Sequence, residues 1–233
     1  MSILPQPLRT TLNHLLPGSC LLCGEDSQTA LFCPACAAEL PHLPTPRCPQ
    51  CAVPTTHGER CGACLSTPPH FDATLAIFRY EFPVDRIIHA LKYGHQLAIA
   101  GWLGKALARL LADADLDLVM PLPLHPERLR ERGFNQAAEI ARPLARALGR
   151  PLLLDGLERR RATPSQAELA LKERQRNVRG AFECNRDLIE QRILLVDDVM
   201  TSGATVNEAA RTLKLHGASR VAIAVAARAL RNA

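Results

Sequence analysis

Two adjacent carboxylates, Asp197 and Asp198, stand between an unbroken aliphatic run, Ile193 to Val196, and a loop of small and hydroxylated residues, Met200, Thr201, Ser202, Gly203, Ala204 and Thr205. Side by side, two carboxylates repel unless hydroxyls, a cation or a basic group offsets their charge. A ribose diol with Mg²⁺ would do so. The run before them has the pattern of a strand covered on both faces in a parallel sheet, and such strands present ligands at their carboxyl ends. After the loop, Val206, Ala209, Ala210 and Leu213 recur at helical spacing, and Gly217 supplies a stop. The loop therefore opens a helix, whose free first-turn N–H groups and dipole favour a phosphate. That order of parts describes a site for a phosphorylated sugar; the competing reading is a generic strand-loop-helix turn with incidental acids.

Residues 193 to 205, ILLVDDVMTSGAT, resemble the 5-phosphoribosyl-1-diphosphate (PRPP) signature of type I phosphoribosyltransferases at every constrained position. The resemblance implies that Asp197 and Asp198 are the catalytic pair and hold the ribose hydroxyls. It also implies that the loop from Met200 to Thr205 wraps the 5′-phosphate and that Mg²⁺ accompanies PRPP.

Eight of the nine cysteines fall into four CxxC pairs: Cys20 and Cys23, Cys33 and Cys36, Cys48 and Cys51, Cys61 and Cys64. Each cysteine of the second four lies 28 residues after its counterpart in the first, which an internal duplication explains most simply. A CxxC turn places two thiolates on one side of a metal and a second turn completes a tetrahedron, so two zinc sites are expected. Pairing in sequence order is the default, and interleaved pairing stays open. Four thiolates per site leave no open position, so both zincs should be structural, stabilising a segment too small and proline-rich for a core of its own. The alternatives are a disulfide framework or redox-active CxxC chemistry. Polar residues interrupt Leu8 to Leu16 and remove any signal-peptide core, which argues against an oxidising compartment. No stretch of 18 apolar residues occurs, so no transmembrane segment is expected.

These groups need a scaffold, and the composition allows one. With 233 residues, 47% hydrophobic and 22% charged, the chain can bury one full core and carry a small accessory module. Residues 1–70 hold the double zinc ribbon, and residues 71–233 read as an α/β domain. Strands are expected at Ala73 to Tyr80, Leu116 to Leu122, Pro151 to Leu154 and Val221 to Ala226, besides the run before the acids. Helices are expected around Asp85 to Lys92, Leu97 to Ala112 and Asn135 to Leu148, the last stopped by Gly149. Alternation of this kind implies a parallel sheet with helices on both faces, the type I phosphoribosyltransferase fold.

Arg128, Arg130 and Arg132 crowd the turn after the strand ending at Leu122. In the phosphoribosyltransferase family that loop faces pyrophosphate, and basic residues suit so charged a leaving group. The plain alternative is a solvated basic helix end. Lys92 is a further candidate for this role, as is Gln136. The segment Arg159 to Phe182 is polar, arginine-rich and interrupted by Pro164, with a capping box at Ser165 and Glu168. Its place between core strands matches the family's loop that closes over PRPP and excludes water, with Thr163, Gln166 and Arg174 as its candidate contacts.

RGFNQ at Arg132 to Gln136, the pattern Thr163, Gln166, Leu169, Arg174, Asn177 and Phe182, and the cysteine module together resemble the ComF family of competence-associated proteins over essentially the whole chain. The resemblance implies a cytoplasmic protein, also placed peripherally at the inner face of the membrane, that serves natural competence and DNA uptake or use. Single-stranded DNA and proteins of the competence machinery are the partners it implies. A non-catalytic PRPP sensor or single-strand-binding adaptor is the alternative. A net charge of +5 is compatible with either. Neither the acceptor nor the oligomeric state is legible.

Overall fold

A computed structural model describes residues 18–161 and 178–230. Residues 1–41 and 42–233 form two compact units.

In the first unit, β1 (Gly18–Ser19) and β2 (Asp26–Gln28) pair antiparallel, and a single helical turn, α1 (Pro34–Ala38), follows. Cys33 caps that turn, its Sγ accepting from Cys36 N at 3.5 Å, and Pro34 fits the first helical position. The two CxxC turns thus bring Cys20, Cys23, Cys33 and Cys36 together.

The second unit carries the second cysteine repeat, with its helical turn α2 (Gly62–Ser66), and the α/β body. The body's elements run β3 (Ala73–Arg79), α3 (Val84–Tyr93), α4 (Leu97–Leu110), β4 (Leu118–Pro121), α5 (Pro126–Arg132), α6 (Gln136–Leu148), β5 (Leu157–Arg159), β6 (Phe182–Cys184), β7 (Arg192–Met200), α7 (Ala204–Leu215) and β8 (Arg220–Arg228). Duplication in sequence and compactness in space therefore part company at the second repeat. It shares a core with the sheet, since Leu43, Cys48, Cys51, Ala52 and Cys64 cluster with Phe71, Ala76 and Met200.

The sheet is parallel, in the order β3-β8-β7-β4, with β7 and β8 central. Ile193, Leu194, Leu195 and Val196 are fully buried, as strands covered on both faces must be. Ile193 and Leu195 pack with Val206, Ala209, Ala210 and Leu213 of α7; by strand alternation, Leu194 and Val196 face the opposite side. Both edges are partly covered. Leu43 N donates to Ile77 O at 2.8 Å along β3, and Leu152 bridges Val119 of β4. The strand expected at Pro151 to Leu154 is that bridge alone. Its N-terminal neighbour Pro151 has no N–H to give a ladder.

Two elements escaped sequence reasoning. The arginines after β4 lie on α5, a short helix that His125 caps by accepting from Glu127 N at 3.4 Å. The β5–β6 hairpin pairs Leu157 with Cys184 across a long intervening segment, so no local turn signals it.

Candidate functional site

The acidic pair lies at the carboxyl end of β7, which continues through both aspartates to Met200. The two carboxyls have opposite surroundings. Asp198 is only 4% exposed and accepts from Lys92 Nζ at 2.7 Å and Gln136 Nε2 at 3.3 Å. Asp197 is half-buried; its Oδ1 accepts from the Asp198 backbone N–H at 2.8 Å. Burial first, then the Asp198 charge, push the Asp197 carboxyl up to about 7, with Lys92 opposing. Burial alone would lower the Lys92 pKa, but the paired Asp198 outweighs it and holds the ammonium above its usual range.

Lys92 reaches the pair from the last turn of α3, and Gln136 from the first turn of α6. RGFNQ explains how. Gly133 takes the left-handed conformation, φ +81°, that ends α5. Asn135 caps α6, accepting from Ala137 N at 3.0 Å, while its Nδ2 donates to Leu122 O at 3.0 Å and fixes the helix start against the end of β4. Gln136, 5% exposed, is thereby aimed at Asp198. Arg132 turns outward, its guanidinium 5.2 Å from the centre of the Tyr93 ring.

The loop follows directly. Thr201 is exposed, Ser202 and Thr205 are half-buried, and Gly203 and Ala204 are buried. Gly203 sits at φ +81°, so glycine is favoured by conformation, and a Cβ there would lie 2.7 Å from Met200 Cε and oblige that side-chain end to shift. As the cap of α7, Gly203 offers no side chain of its own, and beyond Ala204 N, which donates to Ser202 Oγ at 3.3 Å, the first-turn N–H groups suit an anion.

The structure gathers Asp197, Asp198, Lys92 and Gln136 at one point, beside Met200, Thr201, Ser202, Gly203, Ala204 and Thr205. Arg128 is half-buried on α5 and lies close enough to Arg159 for the two guanidinium charges to interact. Thr163, Gln166 and Arg174, with the capping box at Ser165 and Glu168, lie outside the described residues. Sequence reasoning passed over Arg159 and Arg228. Arg159, at the end of β5, has a pKa lowered by burial and by Arg128, against an attraction to Asp197. Its position in a run of three arginines gave no means of singling it out. Arg228 ends the apolar run Val221 to Ala227 of β8, and a charge at the carboxyl end of a buried strand was the available signal.

The cysteines pair in sequence order. Within Cys20, Cys23, Cys33 and Cys36, and within Cys48, Cys51, Cys61 and Cys64, all four sulfurs lie within 4.8 Å of one another. Cys23 and Cys33 Sγ are 3.7 Å apart and Cys51 and Cys61 Sγ 3.5 Å. Tetrahedral zinc with bonds of about 2.3 Å sets its sulfurs roughly 3.8 Å apart, so the spacing fits Zn²⁺ and is too long for disulfides. Backbone N–H groups, that of Cys23 first, lower the Cys20 thiol to about 6, while its neighbours raise Cys36. A crowded thiol set divided in this way calls for a shared cation. Cys184 is buried, its thiol directed at Arg186 O.

Residues 11–65 match the double zinc ribbon domain family, and residues 134–232 match the phosphoribosyl transferase domain family. With the parallel sheet and the two four-cysteine clusters, this defines a class: a phosphoribosyltransferase-fold protein carrying two structural zinc ribbons. The chain is 33% identical over 218 residues to the DNA utilization protein YhgH of Escherichia coli (strain K12), covering 89% of this chain and 96% of that protein. Identity to competence protein F of Haemophilus influenzae is 29%, over 95% of each chain. Identity to competence protein ComFC of Streptococcus pneumoniae is 27%, over 87% of this chain and 96% of that one. The chain belongs to the ComF family of competence-associated proteins. Among the described residues, no helix is long and apolar enough to cross a membrane.

Proposed function

We propose that the α/β body binds PRPP with Mg²⁺ and transfers its phosphoribosyl group to an acceptor, in the service of DNA uptake or use. The observation that carries this reading is the continuity of β7, the acidic pair, the Gly203 loop and the α7 N-terminus. Asp197 and Asp198 would hold the ribose hydroxyls, and the loop from Met200 to Thr205 the 5′-phosphate. Lys92 and Gln136 would fix the Asp198 carboxylate, with Arg128 and Arg132 on the pyrophosphate side and the segment containing Thr163, Gln166 and Arg174 closing over it.

In the reaction the acceptor's lone pair forms a bond to C1 of ribose, and the C1–O bond breaks with its electron pair leaving on pyrophosphate. No protein nucleophile is required. Asp197 and Asp198 would orient the ring and offset developing oxocarbenium charge, and the arginines would stabilise the departing diphosphate. Mg²⁺ would supply further charge neutralisation on the pyrophosphate oxygens.

Calorimetric titration of PRPP with Mg²⁺ into zinc-replete protein tests the site. Saturable binding, weakened roughly tenfold or more in Asp198→Asn, is expected. Equal affinity in the two proteins overturns the assignment, and pyrophosphate release with candidate acceptors tests transfer.

A second reading, a PRPP-sensing or single-strand-binding adaptor without transfer, has one observation in its favour. Tyr93 is exposed with Arg132 against its ring, and Phe82 nearby in the chain is 76% exposed, a pairing of aromatic faces and positive charge that suits stacked bases. Salt-sensitive binding of single-stranded DNA retained in the double variant Asp197→Asn, Asp198→Asn would support it.

A further inference from the structure

Arg228 is 6% exposed, and among the described residues its hydrogen bonds run to backbone carbonyls. Its Nε donates to Cys51 O at 3.0 Å. Its Nη1 donates to Met200 O at 3.0 Å, to Ala229 O at 2.6 Å and to Thr201 O. One buried guanidinium therefore ties the second CxxC turn to the first residues of the phosphate loop.

The same turn is docked a second way. Thr74 Oγ1 donates to Gln50 O at 2.7 Å, and Gln50 Nε2 donates to Phe71 O at 3.1 Å. Phe71 and Met200 are in turn the side chains on which Gly203 rests. Cys51 belongs to the cluster of Cys48, Cys51, Cys61 and Cys64, so whatever fixes its sulfur also fixes the carbonyl that Arg228 holds. Four thiolates around one divalent zinc leave net negative charge, which suits a buried cation next to them.

We propose that the second zinc site is a positioning element for the phosphate loop, acting through Arg228, while the first zinc site has no such role. The proposal rests on the PRPP reading for its ligand but not for its conformational part. Metal at Cys48, Cys51, Cys61 and Cys64 holds the Cys51 turn, the turn holds Arg228, and Arg228 holds the carbonyls of Met200 and Thr201. The loop N–H groups are then aimed before ligand arrives, which lowers the ordering cost of binding.

The test compares full-length wild type, Cys36→Ser, Cys61→Ser and Arg228→Lys, each with its zinc content measured. Two readouts are taken: amide hydrogen exchange of the peptide spanning 200–205 without ligand, and calorimetric binding of ribose 5-phosphate and of PRPP with Mg²⁺. Cys61→Ser should lose the second zinc, exchange faster through the loop and bind roughly tenfold more weakly, whereas Cys36→Ser should match wild type in both. Arg228→Lys should reproduce the loop defect with both zincs retained. Wild-type loop exchange in Cys61→Ser lacking its second zinc, or in folded Arg228→Lys, overturns the proposal. If Cys61→Ser fails to fold, Arg228→Lys decides. Wild type that binds neither phosphate probe removes the PRPP reading, and the exchange comparison still judges the coupling.

Discussion

Lys92 Nζ lies 2.7 Å from Asp198 Oδ2, so a lysine on α3 already neutralises one member of the acidic pair that ends β7. The repulsion expected between adjacent carboxylates is thereby resolved unequally. Asp198 has Lys92 and Gln136 as partners, and Asp197, which lacks them, carries a raised pKa.

Removing the cation alone should leave a buried charge without compensation. Lys92→Met is expected to destabilise the protein by about 3 kcal/mol, because breaking one side of a buried pair costs more than deleting both. Adding Asp198→Asn to Lys92→Met should recover a large part of that loss. Urea unfolding of the two single variants and the double variant measures this, and additive losses would show that the pair is not coupled.

Asp197 makes the site pH-dependent. A carboxyl whose folded pKa is raised contributes stability that is fully present below its ordinary value near 3.8 and is lost as pH rises through about 7. The unfolding midpoint of wild type should therefore fall relative to Asp197→Asn as pH is raised from 5 to 8. If PRPP binds through the Asp197 carboxylate as proposed, its affinity should strengthen over the same range and binding should release a proton. Calorimetry in buffers of different ionisation enthalpy reads that proton.

Metal content is the next measurement. Two zinc ions per chain are expected, falling to one in Cys36→Ser, by elemental analysis of the purified protein. Chelation should lower the unfolding temperature, because metal affinity in such ribbons is folding free energy. The second cluster shares a core with the sheet, so its loss should destabilise the α/β body as well.

Gly203→Ala should cost about 1–2 kcal/mol of stability, since alanine must adopt a left-handed φ of +81° and displace Met200 Cε. PRPP affinity should fall with it, measured by the same titration. Gly217 provides the contrast. It too has positive φ, +97°, and its Cβ would crowd Ile189, so Gly217→Ala should destabilise with little effect on PRPP affinity.

Much of this site is local in the chain and was therefore legible. The strand, acids, loop and helix occupy one uninterrupted segment, and each part is specified by periodicity or by residue type. The cysteine clusters were equally plain because a CxxC turn is a local geometry, although the pairing of turns awaited the fold. The edge strand at Pro151 to Leu154 shrank to a single bridge, and α5 was passed over, because short elements at sheet margins depend on neighbours more than on their own pattern.

By itself, the sequence determined which residues stand at the carboxyl end of the central strand, which loop follows them, and that eight thiols come in two sets of four. Only the tertiary structure decided that Lys92 and Gln136, from two different helices, meet Asp198, that Arg228 joins the second cysteine turn to the loop after the acidic pair, and that this repeat shares the sheet's core. The reason is physical. Backbone preference and hydrophobic period are written within a few residues, whereas the pairing of a buried charge is settled by whatever distant group the packed helices and strands bring within about 3 Å of it.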